Sequence, residues 1–316
     1  AARQSRRPTH SPARTPASVE AEVIALRAQH PAWGARKLRA WLLAHDRPAP
    51  AKSTITALLH RAGLIETERR PTASFTRFEH PQPNDLWQMD FMGHRPLRSG
   101  RVYPLAILDD HSRYGLVLEA CGDQLGASVR THLTRALQQY GLPWVLLTDN
   151  GPPWGSSSGA RTRFEVALMR LGIQVIHGAP RHPQTQGKVE RWHQTVGREV
   201  FGPIPFVDLA AAQRALDAFR QVYNEERPHE ALADQPPRTH YQISGRPYPS
   251  RIPDPDYDTD EIIRSVQSKG HISWNGRHWR IGEAFSGQRV AIRPTGTDGL
   301  FRVVFYNQEV ARIDLR

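Results

Sequence analysis

The chain has 316 residues and a single cysteine, Cys121. No internal disulfide can form, and no Cys-rich zinc site can be assembled. Long apolar runs are missing too, and a membrane span needs about 20 such residues. No secretory leader pattern opens the chain, and no internal repeat is visible. A membrane partner is therefore not expected, and a reducing cytoplasm suits the cysteine usage. A first methionine is lacking as well, so the sequence reads as a piece of a longer chain.

What is abundant is positive charge, a net +11, and it is unevenly laid out. Residues 1–80 carry 14 Lys/Arg against 6 Asp/Glu, residues 81–260 carry 19 against 20, and residues 261–316 carry 9 against 5. A near-neutral centre between two basic flanks suits a central chemistry with flanks that hold a polyanion, nucleic acid above all. A merely solvated basic surface would spread its charge evenly.

Composition and periodicity divide the chain into six parts. Residues 1–17 are rich in Pro, Ser and Arg and read as a basic linker. Residues 18–65 show three short helical patterns. The first has Ser18 as its N-cap and Val19, Val23, Ile24 and Leu26 as an apolar face, and the third stops at Gly63. This arrangement fits a helix-turn-helix whose third helix turns Lys52, Ser53, Thr54 and Thr56 toward DNA. A plain three-helix bundle fits the same pattern. After a polar connector (66–84), residues 85–234 run β-β-β-α-β-α-β-α, which implies a mixed five-stranded sheet with helices on its faces. A Pro-rich linker (235–260) leads to residues 261–316. There the Asn275-Gly276 turn and alternating apolar residues imply a small β-barrel.

Three carboxylates in the central part stand at informative places. Asp90 lies in the first strand, in "LWQMDF", and Asp149 ends the fourth, in "WVLLTDNG". Glu190 lies on the helix "KVERWHQTVGREV", where Val189, Trp192, Val196 and Val200 form a packing face and Glu190, Gln194 and Arg198 an adjacent polar one. Taken singly, Asp149 also suits a turn cap and Glu190 a solvated helix position. Taken together, acids without Cys or His partners suit hard cations, Mg²⁺ or Mn²⁺, and two such ions can drive phosphoryl transfer.

The motifs "WQMDF", "LLTDNG", "HPQTQGKVERWHQT" and "YNEERPHEAL", in this order, resemble the catalytic core of the DDE transposase and retroviral integrase superfamily. The similarity is greatest to bacterial insertion-sequence transposases. It implies a multidomain α+β protein: an N-terminal helix-turn-helix, a ribonuclease-H-like α/β core and a C-terminal SH3-like β-barrel. It further implies Asp90, Asp149 and Glu190 as catalytic and metal-holding acids, two Mg²⁺ or Mn²⁺ ions, and cleavage followed by strand transfer. The implied partners are element-end and target DNA and a second copy of the chain, at the nucleoid. Arg181, His182, Lys188, Gln194 and Arg198 are candidate backbone contacts.

Two departures stand out. Forty residues separate Asp149 from Glu190, more than is usual for the family. Many relatives carry Lys or Arg seven residues after the glutamate, where this chain has Gly197 followed by Arg198. Relatives often carry a further N-terminal helix-turn-helix. Asp109, Asp110, Tyr223 and Pro228 are read as structural, and Trp274 and Trp279 as C-terminal core.

Overall fold

The computed structural model describes residues 15–65, 79–156, 160–178 and 187–316. The described residues fall into two compact units, one within Ala1–Thr76 and Glu225–Pro236, the other within Arg77–Asn224 and Pro237–Arg316.

The first unit is built on three helices, α1 (Ala17–Gln29), α2 (Ala35–Ala44) and α3 (Lys52–Arg61). Val23, Leu26, Trp33, Leu38, Leu42, Ile55, Leu58 and Leu59 are buried in it. Arg27 ties its ends together, donating to the Trp33 and Leu64 carbonyls. Gly63, at φ +68°, follows α3 as anticipated. The start differs from expectation. Ser18 lies inside α1, whose N-cap is Pro16 with no side-chain cap bond, and Ile24 points outward. Arg36 pairs with Glu230 and Asp234 of the second segment in this unit.

The second unit begins with β1 (Leu86–Phe91), β2 (Arg95–Leu97), β3 (Gly100–Asp109) and β4 (Gly115–Cys121). Next come α4 (Gly126–Tyr140), β5 (Val145–Thr148), α5 (Arg163–Arg170), β6 (Gln174–His177), α6 (Gly187–Glu199) and α7 (Leu209–Glu225). β4, β3 and β1 pair antiparallel, while β1–β5 and β5–β6 are parallel, so the sheet is mixed. It has six strands rather than five. Gly100, at φ +136°, turns the chain so that Arg95–Leu97 folds back on the start of β3. Pro96 conceals this strand in the sequence, because proline cannot complete a ladder and is confined to edges.

Strand alternation decides which face each residue of "LWQMDF" meets. Trp87, Met89 and Phe91 pack with α4 and α5 residues, among them Leu133, Leu137, Phe164 and Leu168. On the opposite face Ala106, Leu108 and Leu118 meet Val189, Trp192 and Val196 of α6 and Leu216 and Tyr223 of α7. Gln88 and Asp90 belong to that second face, the one α6 covers. Close approach there depends on Gly115, since a Cβ on it would come within 2.6 Å of the Trp192 ring. Asn224 locks the contact: its Oδ1 accepts from Gly115 N at 2.8 Å and its Nδ2 donates to Gly115 O at 3.0 Å.

The C-terminal region is β-rich. Strands β7 (Ile262–Ser265), β10 (Arg289–Pro294), β11 (Leu300–Phe305) and β12 (Gln308–Asp314) form an antiparallel sheet in the order β12–β11–β10–β7. Strands β8 (His271–Trp274) and β9 (Arg277–Arg280) form the expected hairpin. Asn275 and Gly276 both have positive φ, as a type I′ turn demands. The expected barrel is not closed among the described residues, because this hairpin of four-residue strands has no ladder to either edge of the sheet. Val166 and Met169 of α5 join the apolar core of this region, with Phe285 and Phe305. Trp274 and Trp279 pack partly buried against it. Within 235–260, Tyr241 stacks on Tyr114 at 4.4 Å, and Arg246 donates to the carbonyls of Pro143, Leu171 and Gly172.

Asn224→Ala removes two buried hydrogen bonds and strands both Gly115 backbone groups. It is expected to cost about 2–4 kcal/mol, read as a lowered denaturation midpoint with unchanged far-UV circular dichroism of the native state.

Candidate active site

The site forms where β1 and β5 end. Their parallel register pairs Gln88 with Leu147, and continuing it by two residues brings Asp90 level with Asp149. Asp90 is the fifth of the six residues of β1 and half-buried, whereas Asp149 and Glu190 are exposed. Burial first, then the charge of Asp149 and, more weakly, that of Glu190 push the Asp90 carboxyl up to about 7, against a bond from the Phe91 backbone that lowers it. Among the described residues no three His, Cys, Asp or Glu side chains already close on one point as metal ligands. The donor set is nonetheless of the right chemistry: two solvent-facing carboxylates and a third whose pKa is raised by burial and then by its neighbours, all oxygen.

α6 is fastened to the sheet beside this point by buried polar groups. Gln88 donates from Nε2 to Asp110 Oδ1 at 2.7 Å, and its Oε1 accepts from Val189 N at 3.1 Å. Asp110 Oδ2 takes the Lys188 ammonium at 2.6 Å and the His80 N–H at 2.9 Å. Asp109 is fully buried and accepts from Ser112 N, Ser112 Oγ and Asn84 N. Burial, the largest influence, raises its pKa, and the Ser112 and Asn84 bonds oppose the rise. Both acids at the end of β3 are thus committed to holding turns and α6.

Asp149 is held from behind. His177 Nδ1 lies 2.8 Å from the Asp149 carbonyl and its Nε2 lies 3.2 Å from Glu165 Oε1. Glu165 is buried, accepts from Thr162 N as part of the α5 capping box, and pairs with Arg161 at 2.9 Å. Those bonds outweigh burial and hold its carboxyl below the usual range. Gly155 permits this packing, since a Cβ there would meet Asn150 O at 2.8 Å and His177 Cε1 at 3.0 Å. Trp154 is buried against Phe91, so the chain just after Asp149 returns to the core. Sequence reasoning gave no role to Glu165 or His177. The Thr162-x-x-Glu165 capping pattern was the only available signal.

The remaining candidates separate. Glu190, Gln194 and Arg198 form an exposed stripe along α6, and Arg198 Nε donates to Gln194 O. Lys188 points inward to Asp110; burial and the Arg113 charge push its pKa down despite that partner. Lys52, Ser53 and Thr56 are exposed on α3 and line an open depression with Ala57, His60 and Arg61, while Thr54 is half-buried. His60 and Arg61 were not anticipated there. Arg181 and His182 lie outside the described residues. On the buried side His193 Nδ1 is 3.8 Å from Asp90 Oδ2, and His193 Nε2 has no hydrogen-bond partner among the described residues.

Comparison with known proteins agrees with this architecture. Residues 80–183 and 171–237 match integrase core domain families, and residues 261–316 match the C-terminal domain of the IS481 family of transposases. The insertion element IS476 uncharacterized 39.2 kDa protein of Xanthomonas euvesicatoria is 28% identical over 72% of this chain and 66% of its own length. The insertion element IS407 uncharacterized 31.7 kDa protein of Burkholderia multivorans is 27% identical over 68% and 77% respectively. The Gag-Pro-Pol polyprotein of squirrel monkey retrovirus is 32% identical over 36% of this chain, which covers 6% of the polyprotein. Among solved structures, the HTLV-2 integrase catalytic core domain in complex with magnesium aligns over 51% of this chain and 99% of its own, with a TM-score of 0.40 and 16% identity. The chain is similar to insertion-element proteins and, over 36% of its length, to a retroviral Gag-Pro-Pol polyprotein. Among the described residues, no helix is long and apolar enough to cross a membrane.

Two outcomes follow from the buried charges. Lys188→Met leaves Asp110 without its cation and is expected to cost roughly 3–5 kcal/mol of stability, measured by chemical denaturation. Asp90 carries the opposite sign. Its folded pKa lies above an unfolded value of about 3.9, so the folded state holds the proton more tightly. This group therefore costs nothing below about pH 4, and its cost grows to full size as pH passes 7. Asp90→Asn in metal-free protein is expected to raise stability on the order of 2–3 kcal/mol at pH 8 and to change nothing at pH 3.5, as seen in denaturation midpoints across that range.

Proposed function

We propose that this chain, with its integrase core and IS481-type C-terminal domain, is a DNA transposase that cuts and joins phosphodiester bonds at the ends of an insertion element. The observation that carries the reading is the placement of Asp90 level with Asp149 at the adjacent ends of β1 and β5, where burial, then the charges of Asp149 and Glu190, raise the Asp90 pKa. Such a cluster is costly unless a cation is to be held there. Oxygen donors alone suit Mg²⁺ or Mn²⁺, and two ions suit the in-line displacement that both cutting and joining require. When bound, such ions activate a water or a 3′-hydroxyl and stabilise the departing oxygen. Asp90 and Asp149 would share the ions and Glu190 would complete the second. Asp90 must give up its proton to ligate, so metal binding releases protons at neutral pH.

The rest of the chain supplies DNA. The exposed stripe of Glu190, Gln194 and Arg198 on α6 would lay Gln194 and Arg198 along a phosphate backbone, joined by Arg181 and His182. The three N-terminal helices would act as a helix-turn-helix on the element's terminal repeats, with Lys52, Ser53, Thr54 and Thr56 in the major groove. The C-terminal β-region, with a net charge of +4, would act as an SH3-like module that adds sequence-independent backbone affinity. Two element ends must be handled together with a target, so a homodimer or larger assembly on DNA is the working form, at the nucleoid in the bacterial cytoplasm.

The test uses oligonucleotides carrying the ends of the encoding element, with Mn²⁺ or Mg²⁺. The expected products are a nick exposing a 3′-hydroxyl and a joined strand. Asp149→Asn should lose at least roughly 10³-fold of both while binding the same DNA within about 2-fold. Cleavage without joining would instead indicate a plain nuclease. A variant as active as the parent would overturn the reading.

A further inference from the structure

Gly197 lies in the last turn of α6, and glycine is a poorer helix former than alanine. Its φ is not positive, so backbone conformation does not call for it. Space does. A Cβ at 197 would stand 3.1 Å from Met92 Cε and 3.3 Å from Arg95 Nη2. The missing side chain leaves a notch in the helix, and the Arg95 guanidinium lies against it.

Arg95 opens β2, four residues after the end of β1, and its pairing with Val102 on β3 fixes where its side chain departs. The guanidinium lies over the Phe201 ring, 5.9 Å from its centroid, which adds a weak cation–π hold. Among the described residues its one hydrogen bond is a long 3.4 Å contact to the carbonyl of the adjacent His94. Among the described residues it has no carboxylate partner. Arg113 differs, being paired with Glu79 at 2.7 Å, and so does Arg246, bonded to three carbonyls.

A half-buried arginine with no carboxylate partner among the described residues, set against Gly197 one helical turn beyond His193, whose Nδ1 stands 3.8 Å from Asp90 Oδ2, is arranged for an anion from outside. The planar fork of a guanidinium matches two oxygens of a phosphodiester. We propose that Arg95 binds a DNA backbone phosphate beside the carboxylate site, and that Gly197 is the notch that admits it. This rests on the transposase reading for the identity of the strand, but the contact itself is a binding contact and can be measured without turnover. Arg95 would also offset the repulsion that Asp90, Asp149 and Glu190 impose on an approaching strand.

The experiment uses the full chain, Ca²⁺ in place of a catalytic ion, and a fluorescent 30-bp duplex of arbitrary sequence titrated at several salt concentrations. For Arg95→Gln the expected result is about 3- to 10-fold weaker binding near 0.1 M salt, and a plot of log affinity against log salt shallower by about one. Arg95→Lys should keep the slope, because the charge remains. Gly197→Leu, which fills the notch while leaving Arg95 in the chain, should reproduce the loss. Denaturation midpoints of all three variants confirm that folded proteins are compared. If Arg95→Gln is folded and both its affinity and its slope equal the parent's, the proposal is overturned, as it is if Gly197→Leu binds normally. Manganese-dependent nicking of plasmid DNA by the parent protein separates the two readings. Nicking with an unchanged Arg95→Gln slope removes Arg95 alone, whereas a changed slope without nicking keeps the phosphate contact and removes the catalytic reading.

Discussion

The attachment of α6 to β1 through Gln88 is the constraint on which the site depends. One amide bridges Asp110 at the end of β3 and the Val189 N–H in the first turn of α6. It thereby satisfies a helix N–H that has no partner within the helix and sets the start of α6 beside β1. Glu190 is the next residue along the helix, and Asp90 lies two residues along the strand on the same face. Apolar packing of Val189, Trp192 and Val196 holds the helix down, but such packing tolerates sliding. A buried bidentate amide does not, because a shift of one residue would leave charged and polar atoms unpaired.

That arrangement is stabilised by groups that play no part in the chemistry. Asp109 and Asp110 could be mistaken for members of the acidic cluster, yet each has its oxygens filled by protein donors. Asp90 has a poor set of partners, a raised pKa and two acidic neighbours. Asp109 and Asp110 are set apart by hydrogen-bond satisfaction: their oxygens are filled and they hold the frame. Proteins commonly tolerate such local destabilisation at working sites and recover it in the surrounding core.

Much of this was legible in the chain. Strand alternation in "LWQMDF" separates Trp87, Met89 and Phe91 from Gln88 and Asp90, and helical spacing in "KVERWHQTVGREV" separates Val189, Trp192 and Val196 from Glu190, Gln194 and Arg198. These are period-2 and period-3.6 facts, and the fold obeys both. What escaped were contacts between residues distant in sequence. Lys188 reads as a surface cation beside a catalytic glutamate, but its partner, Asp110, lies 78 residues upstream. Glu165 and His177 belong to two different elements and meet only when α5 packs against the parallel strands. The strand β2 was hidden by Pro96, and a closed barrel was expected where none forms among the described residues, because pairing between sheets leaves no local pattern. A period gives the face of an element, and it gives no partner.

Gly197 shows how a departure in sequence becomes interpretable in space. Along the chain it is a weak position in a helix that otherwise favours helical residues, and the nearest cation by sequence is Arg198. In the folded protein Arg198 is exposed and leans back on Gln194 O, while the cation that reaches the inner side of the helix comes from β2. The same proline-bearing strand that the sequence conceals is therefore what carries Arg95 to its place. A side chain grown from α6 would have to bend over the helix to reach that point. One that departs from β2 arrives supported by Phe201 and by the β3 ladder, with less conformational freedom to lose on meeting an anion. The economy of the arrangement lies in that preorganisation, and the helix gives up a Cβ to allow it.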